Sequence, residues 1–209
     1  EGGDEGGDEG ADEGDEPVFD QLAEGACLGT SSLRRSCQLS RHRPDLEIGF
    51  LRGNVNTRLA ILVGGEFDAI ILACAGLIRL GCEDRMGAAI DPDLSLPAAG
   101  QGAVGIEFRE TDQRVRELLA PLHHEDTATR VLAERAVVRR LDGGCDVPIA
   151  AFAEFDGDGL WLRARVGATD GTSLLEAEAR GADPDQLGQS VAEMLLSQGA
   201  EDLIRAARG

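Results

Sequence analysis

The sequence contains no lysine and no tyrosine: all twenty of its basic residues are arginine, against thirty-nine acids and a formal charge of −19. So few bases exclude nucleic acid as a partner, because a phosphate backbone would be repelled. Acid enrichment with lysine removed is the composition of a surface kept hydrated in concentrated salt, where short carboxylates replace long aliphatic ammonium stems. The chain therefore reads as a halophile's cytoplasmic protein.

Other absences narrow the class further. The five cysteines, Cys27, Cys37, Cys74, Cys82 and Cys145, form an odd set without a C-x-x-C pair, and there are only three histidines. Neither a disulfide framework nor a zinc site is expected, and we assign no metal. No apolar run approaches the roughly 18 residues that span a bilayer, and no basic segment with an apolar core opens the chain, so no membrane partner is expected. The first residue is Glu rather than Met, which reads as a processed or truncated product.

What is present divides into four stretches. Residues 1–16 are acidic, glycine-rich and of low complexity, without the spacing of an EF-hand, and are expected to be disordered. Residues 17–96 alternate strand-like and helix-like segments, predicting an open α/β sheet: strands at 26–29, 46–51 and 67–73, helices at 33–41, 55–63 and 76–80. The run 67–73 is continuously apolar enough to predict burial on both faces of a parallel sheet. Residues 97–124 form a connector with a strand at 103–108 and a helix at 112–119. Residues 125–209 begin with an amphipathic helix whose buried face is expected from Val131, Leu132, Ala136, Val138 and Leu141. Strands at 149–155, 160–167 and 173–180 and helices at 184–197 and 200–207 then predict a small α+β domain with a three-stranded antiparallel sheet. Asp156-Gly157-Asp158-Gly159 marks its first hairpin.

Two βα junctions carry one design. Gly29-Thr30-Ser31-Ser32-Leu33-Arg34-Arg35 and Arg52-Gly53-Asn54-Val55-Asn56-Thr57-Arg58 each place hydroxyl or amide caps and arginines at a strand's C-terminal end. In an open α/β sheet those ends share a crevice, where helix N-termini and guanidinium forks favour carboxylate or phosphate. Arg79 can join that crevice or simply balance a helix C-terminus. The alternative for Arg34, Arg35, Arg41 and Arg43 is ion pairing with surface acids. A further candidate is Cys145, on the glycine hinge Gly143-Gly144 between the amphipathic helix and the first antiparallel strand. It is either an exposed nucleophile or a buried, inert thiol after a helix cap at Gly143. The other four cysteines read as core filler in strands and helices, and His123-His124 as a connector pair.

These motifs, together with Asp68-Ala69-Ile70-Ile71-Leu72-Ala73, Leu96-Pro97-Ala98-Ala99-Gly100-Gln101-Gly102-Ala103 and Leu141-Asp142-Gly143-Gly144-Cys145-Asp146-Val147-Pro148, resemble porphobilinogen deaminase, also called hydroxymethylbilane synthase. The resemblance keeps family order from about residue 17 to the C-terminus. It implies a transferase of tetrapyrrole (haem, cobalamin) biosynthesis that joins four porphobilinogen units head to tail with loss of ammonia. It also implies a dipyrromethane cofactor on a thioether to Cys145, with Arg34, Arg35, Arg52, Gly53, Arg58, Thr30, Ser31 and Ser32 around it. Arg79 and Gln101 fall to the substrate and growing polypyrrole. Every pyrrole carries an acetate and a propionate, so the family's chemistry needs such a crevice. A covalent tether makes successive additions intramolecular.

The chain also departs from the family. The catalytic aspartate belongs to an N-terminal domain that nothing here matches, so no catalytic residue is assigned, and 97–124 would return to that missing domain. A fragment inactive alone is expected, and a monomer at full length. Asp142 and Asp146 beside the cysteine are expected to raise the Cys145 pKa; Ile78 and Ala150 stand where the family often has Lys and Gly. The competing readings are a non-catalytic module binding an anionic ligand on a periplasmic-binding-protein-like α/β fold, and a degenerate structural homologue.

Overall fold

The computed structural model describes residues 18–144 and 146–209. The N-terminal half builds a parallel sheet from β1 (Cys27–Gly29), β2 (Glu47–Gly49) and β3 (Ala69–Ile70), interleaved with helices α1 (Leu33–His42), α2 (Val55–Val63) and α3 (Cys74–Arg79). The strand order is β2-β1-β3. The chain therefore leaves β1 on one side and returns on the other, and such a switch point opens a crevice beyond the strand ends. Helix starts fall where the sequence offers an oxygen: the Ser32 Oγ accepts from the Arg35 N–H at 3.4 Å, and the Asn54 Oδ1 from the Thr57 N–H at 2.9 Å. Leu28 and Leu39 are fully buried, with Phe19, Ala26 and Leu46 beside them.

Helix α4 (Gln113–Leu119) follows the connector, and the long helix α5 (Glu125–Arg140) opens the C-terminal half. Strands β4 (Ile149–Asp156), β5 (Gly159–Gly167) and β6 (Leu174–Gly181) form an antiparallel sheet in that order, followed by α6 (Pro184–Ser197) and α7 (Ala200–Arg208). The hairpin between β4 and β5 is where the sequence places it, with Gly157 at φ +60° in its two-residue loop. Alternation divides β5: Leu160, Leu162, Ala164 and Val166 are at most 1% exposed and join Ala133, Val137, Val191 and Leu195 of the helices in the main core. Each leucine or valine among them contributes about 1.5–3 kcal/mol on leaving water, and each alanine less.

The opposite face of β5 carries Trp161, Arg163 and Arg165, and part of it receives the N-terminal half. Arg165 donates to the Gln38 Oε1 at 3.0 Å and to the Asp93 carbonyl at 2.8 Å, while Arg163 pairs with Asp93 and Glu154. The arginine stems cover the sheet while their heads join two chain segments.

Several expectations need correction. Run 67–73 yields only a two-residue strand, and its residues are half-buried rather than buried, Asp68 being exposed; one side of it lines a cavity. The strand expected at 46–51 shrinks to Glu47–Gly49. Residues 103–108 form no strand: they have no ladder partner among the described residues, and Val104 and Ile106 stay 71% and 51% exposed. Alternation alone makes no strand where backbone donors and acceptors find no neighbour. On α5 the buried stripe is Ala133, Glu134, Ala136 and Val137, whereas Leu132 is exposed and Val131 and Val138 are half-buried. The helix is wedged between β4 and α6, and that double contact turns its small residues inward. Of the four cysteines expected as filler, only Cys37 is buried; Cys82 lies outside any α-helix or strand.

Candidate functional site

At the β1–α1 junction Gly29 stands in a crowded place, where a side-chain carbon would meet Ile70 at 3.0 Å and Phe67 at 3.1 Å and oblige them to give way. Thr30 is buried, and its Oγ1 accepts from the Ser32 N–H at 3.2 Å; Ser31 is half-buried beside it. This turn launches α1 with Arg34 and Arg35 in its first turn. Arg34 is only 7% exposed, and its guanidinium donates to the Leu96 carbonyl and, at 3.1 Å, to the Gln101 Oε1. Arg35 donates to the Ile71 carbonyl beyond β3 at 3.1 Å.

Both guanidiniums rest on neutral oxygens only, and the electrostatics follow. Burial, and then the neighbouring charge of Arg35, push the Arg34 pKa down to about 10. Burial, and then Arg58, lower Arg35. Arg43, by contrast, is held by Asp45 at 2.7 Å and is raised by that hydrogen bond. The surface ion-pair alternative thus holds for Arg43 and fails for Arg34 and Arg35: among the described residues, Arg34, Arg35, Arg52, Arg58 and Arg79 have no carboxylate partner. Positive charge collected without counter-charge is the signature of a site for anions.

Arg34, Arg35 and Gln101 border a cavity of about 540 Å³ with an otherwise mostly apolar lining from Phe19, Leu22, Ile70 and Ile71. Asp68 is the one described carboxylate in that lining, and its Oδ2 accepts from the Cys27 N–H at 2.7 Å. The second junction stands at the margin. Gly53 takes φ +113°, and its carbonyl accepts from the Arg58 Nε at 2.8 Å, which turns Arg58 toward Arg35. Arg52 is exposed and lies over the Phe50 ring at 4.7 Å. Arg79, in the last turn of α3, does not border the cavity, so helix-end balance accounts for it.

Loop 97–102 joins this site to the C-terminal half. The Gln101 Oε1 that receives Arg34 also accepts from the Ala98 N–H at 3.4 Å. One residue back, the Gly100 N–H donates to the Glu134 carboxylate at 2.6 Å. Glu134 escapes sequence reasoning, although a signal exists: it is the one acid on α5's inward stripe, between Ala133 and Ala136. Gly102 borders both the first cavity and a second one of about 970 Å³, whose wall includes His124, Arg135, Arg139 and Gly143. His124 caps α5, with its Nδ1 accepting from the Thr127 N–H at 3.2 Å, and His123 reaches Glu125 at 3.0 Å.

Helix α5 ends differently from the expected cap at Gly143. Asp142 itself takes the left-handed conformation at φ +51°, and the Gly143 N–H returns to the Val138 carbonyl at 2.9 Å. A side-chain carbon at Gly143 would lie 2.6 Å from the Ile149 Cδ1, so any larger residue there would have to displace the end of that side chain. Cys145 and residues 1–16 lie outside the described residues. The two acids flanking the cysteine share Arg208, whose guanidinium is 3.2 Å from the Asp142 Oδ2 and 3.4 Å from the Asp146 Oδ2. Their negative charge is thus met by a base that the sequence spacing does not reveal.

No helix among the described residues is long and apolar enough to cross a membrane. Residues 13–117 match the family described as porphobilinogen deaminase, dipyromethane cofactor binding domain, and residues 128–197 match porphobilinogen deaminase, C-terminal domain. The parallel sheet with its arginine-bordered crevice and then the antiparallel sheet follow one another in that same order, and the chain belongs to the porphobilinogen deaminase family, with a role in tetrapyrrole biosynthesis.

Proposed function

We propose that this chain carries the cofactor- and substrate-carboxylate-binding part of a hydroxymethylbilane-forming transferase. One observation carries the reading: Arg34 and Arg35, adjacent on α1, rest on neutral oxygens with the charge of Arg58 beside Arg35, and no acid among the described residues neutralises them. A dipyrromethane, with an acetate and a propionate on each ring, fits that donor set, because its carboxylates supply the missing charge in bidentate geometry. Arg34 and Arg35 would hold it from α1, Arg58 and the Gly53 backbone from the margin, with Thr30 and Ser32 fixing the turn. Arg52 would join them from its exposed place over Phe50, whereas Arg79, outside the cavity, balances the end of α3. Gln101 receives Arg34, and Gly102 beside it borders the second cavity, whose wall reaches Gly143, two residues from Cys145 in the sequence. Cys145 would hold the cofactor through a thioether, and the group when bound supplies the primer on which pyrroles accumulate.

The described residues provide charge, orientation and an apolar wall, while Asp68, the one described carboxylate bordering the first cavity, is engaged with β1. Proton transfer during deamination is therefore assigned to an aspartate of a further domain. The 209 residues alone should bind porphobilinogen and not consume it. Adding the family's N-terminal domain in trans should start ammonia release. Turnover by the chain alone would refute this assignment. A mass spectrum completes the test: a dipyrromethane increment removed by Cys145→Ser supports the transferase, and an unmodified thiol in the complemented, active protein refutes the tether. The acid-rich, lysine-free composition supports work in concentrated salt.

A further inference from the structure

Strand β4 is one of the two outer strands of its sheet, and two of its outward amides are claimed by other parts of the chain. The Ala151 N–H donates to the Pro97 carbonyl at 3.2 Å, and the Ala153 N–H to the Glu134 Oε1 at 3.0 Å. The other carboxylate oxygen, Oε2, accepts from the Gly100 N–H at 2.6 Å. Glu134 thus stands where a neighbouring strand's carbonyl would stand, with the 97–102 loop held against it. Only 5% of its surface is exposed, and burial raises its pKa against the pull of the two amides. Retaining a charged group in such a place is costly unless both oxygens are used, and here both are.

What the loop holds in turn is Arg34. The residue before Pro97 offers its carbonyl, and the residue after Gly100 its amide oxygen, to the two ends of the same guanidinium. Gln38 closes the arrangement by donating to the Leu96 carbonyl at 3.2 Å and accepting from the Leu96 N–H at 2.9 Å. A loop that moved by an ångström would release a cation that has no carboxylate to hold it.

We propose that Glu134 is a positioning residue for the anion crevice: seated on the edge of the C-terminal sheet, it fixes loop 97–102, whose Gln101 oxygen, with that of the adjoining Leu96, aims the Arg34 guanidinium. The proposal rests on the reading of Arg34 as a carboxylate binder, and it adds a residue that touches neither pyrrole nor cofactor. It explains why a glutamate and not a glutamine is used: an amide has one acceptor oxygen, and its NH2 group would face the second N–H donor. It also gives the C-terminal half a part in binding beyond carrying a cysteine.

The test uses the 209-residue protein and three readouts: amide exchange at Gly100, the Arg34 guanidinium NMR signal, and calorimetric binding of porphobilinogen. Glu134→Gln should speed Gly100 exchange at least tenfold while β5 amides keep their protection. It should also move the Arg34 signal toward that of a free arginine, and weaken porphobilinogen binding about tenfold, the loss of one charge-assisted hydrogen bond. Gln101→Ala should move the Arg34 signal and leave Gly100 exchange unchanged, which covers the case in which position 134 does not tolerate change. Arg34→Gln should weaken binding, and adding Glu134→Gln to it should weaken it little more, since both act through one contact. Additive losses, or an unmoved Arg34 signal in Glu134→Gln, would overturn the proposal. If the unaltered chain binds no porphobilinogen, the functional reading fails, while exchange and the Arg34 signal still decide whether Glu134 aims Arg34.

Discussion

The Cys37 Sγ lies 2.6 Å from the place a side-chain carbon would take at Gly167, and the two residues belong to different halves of the chain, one on α1 and the other at the end of β5. This contact sets how closely the parallel-sheet half can approach the antiparallel sheet. Gly167→Ala should push them apart and destabilise the protein by about 1–3 kcal/mol, the usual cost of overpacking a filled site. The sequence has one tryptophan, Trp161 on β5, so its emission reads the C-terminal sheet alone while circular dichroism reads both halves. In the variant the two unfolding curves should separate. Coincident curves at an unchanged midpoint would mean that the halves are not packed on this contact.

Arg58 and Arg35 repel each other in the free protein and would share an anion when it is bound. Arg58→Gln relieves that repulsion but also removes the hydrogen bond to the Gly53 carbonyl, so the melting temperature without ligand should change by no more than about 2–4 °C while porphobilinogen binding weakens about tenfold. A large loss of stability with unchanged binding would mark Arg58 as merely structural.

The lowered Arg34 pKa has a direction that can be checked. A bound carboxylate favours the charged guanidinium, so affinity is full at neutral pH and declines as pH rises through about 10. A binding profile flat to pH 11 would show that Arg34 does not meet the anion.

Asp45 titrates from the other side. Its hydrogen bond from Arg43 lowers its pKa from 3.8 to about 2 in the folded protein. A depressed carboxyl contributes stability that is present above the unfolded pKa and lost as pH falls through the folded one, here between about pH 4 and pH 2. Asp45→Asn should flatten the stability curve in that window, and the Asp45 carboxyl carbon should titrate with a midpoint near pH 2 by NMR.

Much of the fold was readable because local signals and tertiary demands agree. Helix α2 runs from Val55 to Val63 as the Asn54 cap and Gly64 stop predict, and β4 and β5 meet at the Gly157 turn. Sequence reading went wrong where a neighbour decides. Residues 103–108 have the alternation of a strand and no ladder partner among the described residues, and Leu132 turns outward because α6 and β4 take the other side of α5. In the site, Arg34 and Arg35 were legible from their junction, and Gln101 only through the family resemblance. Arg208, far along the chain from Asp142, and Glu134, hidden among alanines, were not, since only folding brings them to their partners.

The cover that Pro97 and Glu134 lay along β4 also bears on how the protein behaves at high concentration. An uncovered outer strand is a template on which a second chain can add its own strand. With its Ala151 and Ala153 amides already occupied, β4 offers no such template there, and two molecules meeting at that edge find nothing to pair with. The same hydrogen bonds that shape the crevice thus guard against self-association, and a sequence change that loosens the loop would surface as turbidity.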